Sequence, residues 1–181
     1  MMQRIDLVLL LRETVATPYS DMVTRSTGAA LRTRIEQTIS GASHRTTQLD
    51  FTEVGLLDFS CADEVVAQLL LRVADEEEHY VLLSGITERH LEALDHVLER
   101  HGLSVAALTE GDGAPRVLGV TTPDVVAAFQ TIQRLGPGDA NRLADALCWT
   151  VERAADALQS LALRRLIQAA GGTYRPLPLP A

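Results

Sequence analysis

Residues 49–70 have the sequence LDFTEVGLLDFSCADEVVAQLL, and this stretch contains a strand, a turn and the start of a helix. Its first residues, together with 46–48 before them, are mostly β-branched or apolar, which favours a buried strand. From Cys61 onward, apolar residues recur at the spacing of one helical face as far as residue 75. A strand that leads through a short turn into an amphipathic helix is typical of an α/β layer fold.

The alternation of strands and helices continues on both sides of this stretch. Short apolar runs predict strands at residues 5–11, 46–51, 79–83 and 103–108, with a short fifth strand at 116–120. Amphipathic runs predict helices at residues 24–39, 61–75 and 88–100, and the acidic stretch 75–78 is predicted to be a solvated turn. This alternation predicts an α/β layer fold with a mixed sheet. Because the apolar helix faces need a common surface, we also expect the first four strands to lie in one sheet.

From residue 119 the pattern changes to three helices and two short strands. Three capping residues each precede a helical run, and these are Thr122, Asp139 and Thr150. The predicted helices start at residues 123, 140 and 151, and the first ends at the Gly-Pro-Gly of residues 136–138. Two β-like segments follow at residues 164–168 and 173–177, separated by 169–172.

Composition limits the classes of partner. The 181 residues are 46% hydrophobic and carry a net charge of -8. Residues 1–117 contain 10 arginines and 19 acidic residues, whereas residues 118–181 contain 6 arginines and 5 acidic residues. The first part therefore does not resemble a nucleic-acid-binding surface. The sequence has no signal peptide and no apolar run of membrane-spanning length, so we expect a cytoplasmic protein without a membrane partner.

The stretch at 49–70 resembles the STAS family, the anti-sigma-factor antagonists and their relatives. In that family a strand ending in Leu-Asp leads through an Asp-Ser-Ser-Gly-type turn into a helix, and here the turn is DFSC at 58–61. The sequence SCADE at 60–64 matches a STAS-like group that is often encoded near histidine-kinase-type ATPases. The resemblance implies a STAS-like α/β domain at residues 1–118 and a protein partner, either such an ATPase or an anti-sigma-like factor.

Ser60 has two open interpretations. The resemblance implies that a partner kinase phosphorylates Ser60, next to Asp58, and thereby switches binding. A phosphate at a helix N-terminus is stabilised by the free N–H groups and the helix dipole. Asp58, Asp63 and Glu64 are close in sequence, however, and would repel it. From the residues alone, Ser60 is equally open to a structural explanation as the N-cap of its helix, with Asp63 completing an approximate capping box.

Residues 140–177, ANRLADALCWTVERAADALQSLALRRLIQAAGGTYRPL, resemble the winged helix-turn-helix family. The resemblance implies a domain at residues 119–181 with three helices and a two-stranded wing, whose third helix enters the major groove of double-stranded DNA. The candidate DNA-binding residues are Thr150, Arg153, Gln159, Arg164, Arg165 and Arg175. A DNA reader usually carries more positive charge, so a protein-interaction module remains the alternative.

Together these patterns predict a regulatory signalling protein in which a STAS-like interaction module is coupled to a DNA-binding winged helix. Useful DNA affinity would require a homodimer that doubles the number of arginines. The alternative is a protein–protein adaptor of an anti-sigma or kinase pathway that does not bind DNA. We find no nucleophile–base pair, no paired carboxylates in an apolar setting, no metal motif and no cofactor fingerprint, so we expect neither an enzyme nor a cofactor.

Overall fold

A computed structural model describes residues 2–75 and 78–181, so Glu76 and Glu77 of the acidic stretch lie outside the described residues. Its main feature is a five-stranded sheet whose strands lie side by side in chain order. The first four strands are parallel and the fifth is antiparallel to the fourth, which makes the sheet mixed. The strands are β1 (Met2–Asp6), β2 (Thr46–Asp50), β3 (Tyr80–Ile86), β4 (Ser104–Thr109) and β5 (Arg116–Gly119). The expectation of one mixed sheet is confirmed.

The apolar run at residues 5–11 is divided between two elements. β1 ends at Asp6, whose carboxylate accepts a hydrogen bond from the backbone N–H of Leu9 and caps helix α1 (Leu7–Val15). The prediction of a strand over 5–11 is therefore wrong. A continuous apolar run fits a strand or a buried helix equally well, and here the cap at Asp6 starts a helix that buries two leucines one turn apart, Leu7 and Leu11.

One face of the sheet is covered by the helices that connect its strands. Strand residues such as Leu49, Leu83 and Val105 form one core with these helices, as the alternation of side chains along a strand requires. The helices are α1, α2 (Arg25–Ser40), α3 (Phe59–Ala62), a π-helical segment (Asp63–Gln68), α4 (Leu69–Val73) and α5 (Glu88–Arg100). The helix predicted from residue 61 thus starts two residues earlier and contains a π-helical segment, which the periodicity did not indicate.

The C-terminal part has three helices followed by a β-hairpin, as the sequence predicts. The helices are capped by the side chains of Thr122, Asp139 and Thr150. The elements are α6 (Pro123–Leu135), α7 (Ala140–Leu147), α8 (Val151–Leu163), β6 (Ile167–Ala170) and β7 (Thr173–Pro176). β6 starts three residues later than predicted and ends two residues later, because the turn contains only the two glycines at positive φ, Gly171 and Gly172. β7 starts where predicted and ends one residue earlier.

The second face of the sheet packs against this C-terminal part. Leu82 and Ala106 alternate with the residues of the first core and join Phe129 and Leu158 in a second core. The sheet therefore lies between the connecting helices on one side and residues from 119 onward on the other. The two parts share a buried apolar boundary and are not separated by an exposed linker.

Candidate functional site

The turn before α3 is organised by Asp58. One oxygen of its carboxylate accepts hydrogen bonds from the Cys61 backbone N–H at 2.7 Å and from the Ser60 hydroxyl at 3.0 Å. The other oxygen accepts from the Thr24 backbone N–H at 2.9 Å. Asp58 is therefore the N-cap of α3, and the expectation that Ser60 is the cap is wrong. A carboxylate next to two N–H donors is favoured at this position over a hydroxyl because it accepts more hydrogen bonds and complements the helix dipole.

The pKa of Asp58 reflects these contacts. Partial burial acts to raise it, but hydrogen bonds from Thr24, Cys61 and Ser60 and the nearby Arg25 charge outweigh burial, so the pKa lies below the usual aspartate value. Asp58 is consequently ionised in the folded protein at neutral pH. Ser60, in the first turn of α3, is half-buried and its hydroxyl donates to this anion.

Two helix N-termini meet at the turn. Thr24 caps α2 by accepting from the backbone N–H of Thr27, while its own N–H binds Asp58 at the start of α3. Thr24 has φ 73°, a left-handed conformation that is rare for a β-branched residue and costs about 1–3 kcal/mol. This strain is tolerated because the hydrogen bonds around Thr24 define its conformation.

Ion pairs hold α2 against the π-helical segment. Arg25 binds both Asp63 and Glu64 with its Nη1 at 2.8 Å from each carboxylate, and Arg32 binds Glu64 at 3.0 Å. The Nε2 atom of His101 lies 2.7 Å from Asp63. The burial of Asp63 acts to raise its pKa, but hydrogen bonds from Arg25 and His101 lower it below the usual value overall. Asp63 and Glu64 are only 7% and 8% exposed, and these contacts balance their negative charges next to the turn.

Close packing beneath the ion pairs depends on a glycine. A Cβ added to Gly28 in α2 would lie 2.9 Å from the Cβ of Glu64 and 3.0 Å from the Cα of Cys61. The two helices can therefore approach at this crossing only where no side chain separates them. Cys61 itself is fully buried, and burial, followed by the charges of Asp58 and Glu64, raises the pKa of its thiol to about 12, so it is not a nucleophile.

Exposed apolar side chains surround the turn. We call the following set, together with the turn, the Ser60 surface: Tyr19, Val23, Leu56 and Phe59, with exposed fractions of 70%, 37%, 59% and 48%. The segments that carry them are joined, since Met22 donates to the carbonyl of Leu56 at 2.8 Å and accepts from Asp58 at 3.1 Å. Neither this surface nor the role of Arg25 was predicted from the sequence. The signal that could have indicated the surface is the presence of apolar residues in turn segments, where they do not fit the periodic pattern of a core.

The candidate DNA-binding residues line three different hollows of the protein. Thr150 is the N-cap of α8, and Arg153 forms two hydrogen bonds with Asp124, at 2.7 and 2.8 Å, while it stacks 4.2 Å over the ring of Trp149. The Arg153 hydrogen bonds hold the pKa of Asp124 below its usual value, so both groups stay charged and paired. Arg175 lies in β7, beside a shallow hollow that residues 43–46 also line.

The remaining three candidates face the α/β part. Arg164 donates to the Ser104 hydroxyl at 2.8 Å and the Val120 carbonyl at 3.2 Å. Arg165 donates to the carbonyls of His79 and Ala74 at 2.8 and 2.9 Å. Gln159 lines a cleft together with both arginines. An anion that binds Arg164 or Arg165 would therefore have to use the guanidinium donors that these inter-part hydrogen bonds leave, on the side of the α/β part.

Comparison of the chain with protein-family models, with curated proteins and with solved structures finds no match. Within residues 2–75 and 78–181, no helix combines the length and the apolar character needed to cross a bilayer. The same described residues contain no group of three or more His, Cys, Asp or Glu side chains placed to hold a metal ion.

Proposed function

We propose that the chain is a regulatory protein that binds a protein partner through the Ser60 surface, as a STAS-like module fused to a winged helix. The observation that carries the proposal is the group of exposed apolar side chains around a turn that Asp58 holds in place. Aromatic and aliphatic residues that stay exposed beside a rigid polar centre are typical of protein-binding surfaces. The expected partner is a histidine-kinase-type ATPase or an anti-sigma-like factor.

The charges at the turn support regulation by phosphorylation of Ser60. The N-termini of α2 and α3 meet there, and both present N–H groups and positive dipole ends to an anion. Asp58 already occupies these donors, so a phosphate on Ser60 would compete with the carboxylate. Phosphorylation would therefore disrupt the cap and the surrounding apolar surface, which is the change a partner would detect.

Site-specific photo-crosslinking tests the partner surface. A photo-reactive amino acid at Leu56 should capture an ATPase or anti-sigma-like protein in the native cell. The matched control is Leu9, which is also an exposed leucine at 56% but lies on α1 outside the Ser60 surface. Capture by the Leu56 variant and not by the Leu9 variant, abolished by Ser60→Asp, is the expected result. Equal capture at both positions, or none at Leu56, would contradict the proposal.

Double-stranded DNA is the second candidate partner, because the N-terminal half of α8 presents Thr150, Glu152 and Arg153 to solvent. Arg153 is paired with Asp124, and Arg164 and Arg165 are hydrogen-bonded to the α/β part, so few cations are directed to a DNA backbone at the N-terminal half of α8. A protein that neutralises several phosphates shows a salt slope of about 0.9 per contact. We expect the full chain to give no mobility shift with duplex DNA at about 50 mM salt, and a shift with a slope of three or more would favour DNA instead.

A further inference from the structure

A cleft of about 520 Å³ lies between the α/β part and α8. It is separate from the Ser60 surface, and its volume falls within the range of small-molecule sites. One wall comes from α4 and the starts of β3 and β4, with Leu70, Val73, Val81, Leu103, Ser104 and Val105. The other wall comes from α8 and the residues after it, with Asp156, Gln159, Ser160, Leu163, Arg164 and Arg165.

Arg164 supplies a cation to this cleft. Its Nη1 donates to two uncharged acceptors, the Ser104 hydroxyl and the Val120 carbonyl. Among the described residues no carboxylate lies within ion-pair distance of Arg164. A guanidinium has five donors, so further donors remain for a ligand that brings the missing negative charge. The Ser104 hydroxyl, 7% exposed, accepts from Arg164 and donates to the Val120 carbonyl at 2.7 Å, so it positions the guanidinium and leaves the ligand contact to Arg164.

Leu163 supplies a largely exposed apolar rim to the cleft. It is the last residue of α8 and is 77% exposed, the largest fraction among the exposed large hydrophobic residues of the described chain. It lines the cleft together with Leu103 and Val73. An apolar ligand would remove these surfaces from water, which is favourable in proportion to the area buried.

Asp156 is the acidic residue of the lining, and it limits where an anion can bind. It precedes Arg164 by eight residues, a separation of about 12 Å along a helix axis. A ligand anion at Arg164 is therefore distant from this carboxylate, while the apolar part of the ligand faces the leucines and valines.

We propose that this cleft binds a small amphiphilic carboxylate, with its carboxylate on Arg164 and its hydrocarbon part against Leu163, Leu103 and Val73. Such a ligand contacts both parts of the protein at once. It therefore stabilises the packing of α8 on the sheet and gives the chain a small-molecule input that is independent of the Ser60 surface.

The test uses the full chain and three probes of matched length: octanoate, 1-octanol and octylammonium. Binding is followed by shifts in ¹H–¹⁵N spectra up to about 10 mM probe. Octanoate should bind at least about tenfold more tightly than octanol, because a hydrogen bond to a charged group is worth about 1.5–3 kcal/mol and tenfold corresponds to about 1.4 kcal/mol. Octylammonium should not bind. Hexanoate, two methylenes shorter, should bind roughly tenfold more weakly than octanoate.

Two variants locate the site. Arg164→Gln should remove the preference for octanoate over octanol and leave octanol affinity unchanged. Leu163→Ala should weaken both probes by about three- to tenfold. The control is Val151→Ala, which alters another exposed apolar residue of α8, 49% exposed, that does not line the cleft. Val151→Ala should change neither affinity.

Several outcomes overturn the proposal. Absence of octanoate binding up to 10 mM excludes the ligand class. Octanoate binding that is insensitive to Leu163→Ala places the ligand elsewhere, and equal affinity for octanoate and octanol removes the part assigned to Arg164. If Arg164→Gln fails to fold because it loses its contacts with the α/β part, the Leu163→Ala and probe comparisons still decide.

Discussion

Replacement of Asp58 separates the two explanations of the turn before α3. Asp58 accepts from the N–H groups of Cys61 and Thr24 and from the hydroxyl of Ser60, at 2.7, 2.9 and 3.0 Å. Asp58→Ala removes both acceptor oxygens and so all three hydrogen bonds, whereas Asp58→Asn keeps one oxygen for the Cys61 N–H. Ser60→Ala removes only a donor to a carboxylate that has two others. The three variants should therefore rank in stability as Asp58→Ala below Asp58→Asn below Ser60→Ala.

The magnitudes follow from these contacts. Loss of an N-cap costs about 0.5–2 kcal/mol, typically near 1. Loss of the acceptor for the Thr24 N–H, an exposed hydrogen bond, adds about 1 kcal/mol. Asp58→Ala should thus lower the free energy of unfolding by about 2–3 kcal/mol and Asp58→Asn by about 1 kcal/mol. Ser60→Ala should cost less than about 0.5 kcal/mol.

Urea denaturation followed by circular dichroism measures these differences. With a urea slope of about 2–3 kcal/mol per M, Asp58→Ala should lower the midpoint by roughly 1 M. The pH dependence gives a second check. The pKa of Asp58 is lower in the folded protein than in the unfolded chain, so its stabilisation is complete above the unfolded-state pKa of about 4. It is lost as the pH falls through the folded-state pKa, and there the wild type should converge on Asp58→Asn.

Two results would refute this account of the turn. Equal destabilisation by Ser60→Ala and Asp58→Ala would restore Ser60 as the cap. A difference between wild type and Asp58→Asn that persists after the Asp58 carboxyl is protonated would show that its charge does not stabilise the turn.

Three further predictions concern the core. Gly28→Ala should lower the free energy of unfolding by about 1–3 kcal/mol in urea titrations despite a gain in helix propensity, because the new Cβ meets Glu64 and the backbone of Cys61; a stabilised variant would contradict that packing. Iodoacetamide should modify exposed Cys148 in the native protein and Cys61 only after unfolding, by mass spectrometry, since burial keeps Cys61 protonated. Leu158→Ala, fully buried in the second core, should cost about 2–5 kcal/mol in thermal or urea unfolding, and a loss below about 1 kcal/mol would indicate that this core is loosely packed.

Local signals were sufficient for most elements. The caps at Thr122, Asp139 and Thr150 predicted the starts of α6, α7 and α8 because capping is a contact within four residues. The prediction of a strand at residues 5–11 was wrong because a continuous apolar segment has no period that distinguishes a strand from a helix. The π-helical segment at Asp63–Gln68 was not predicted for a related reason, since one inserted residue hardly changes the apolar pattern of a helix.

The sequence by itself determined the strands and helices other than α1, and the Asp58–Ser60 turn as the place where polar residues begin a helix. Each of these depends on residues within a few positions of one another. Only the tertiary structure decided that Arg164 and Arg165 bind the α/β part and that Arg25 neutralises Asp63 and Glu64. These contacts join residues 38 to 91 positions apart, and which long side chain meets which acceptor depends on how the packed faces align. Periodicity identifies a buried face but does not specify the partner that covers it.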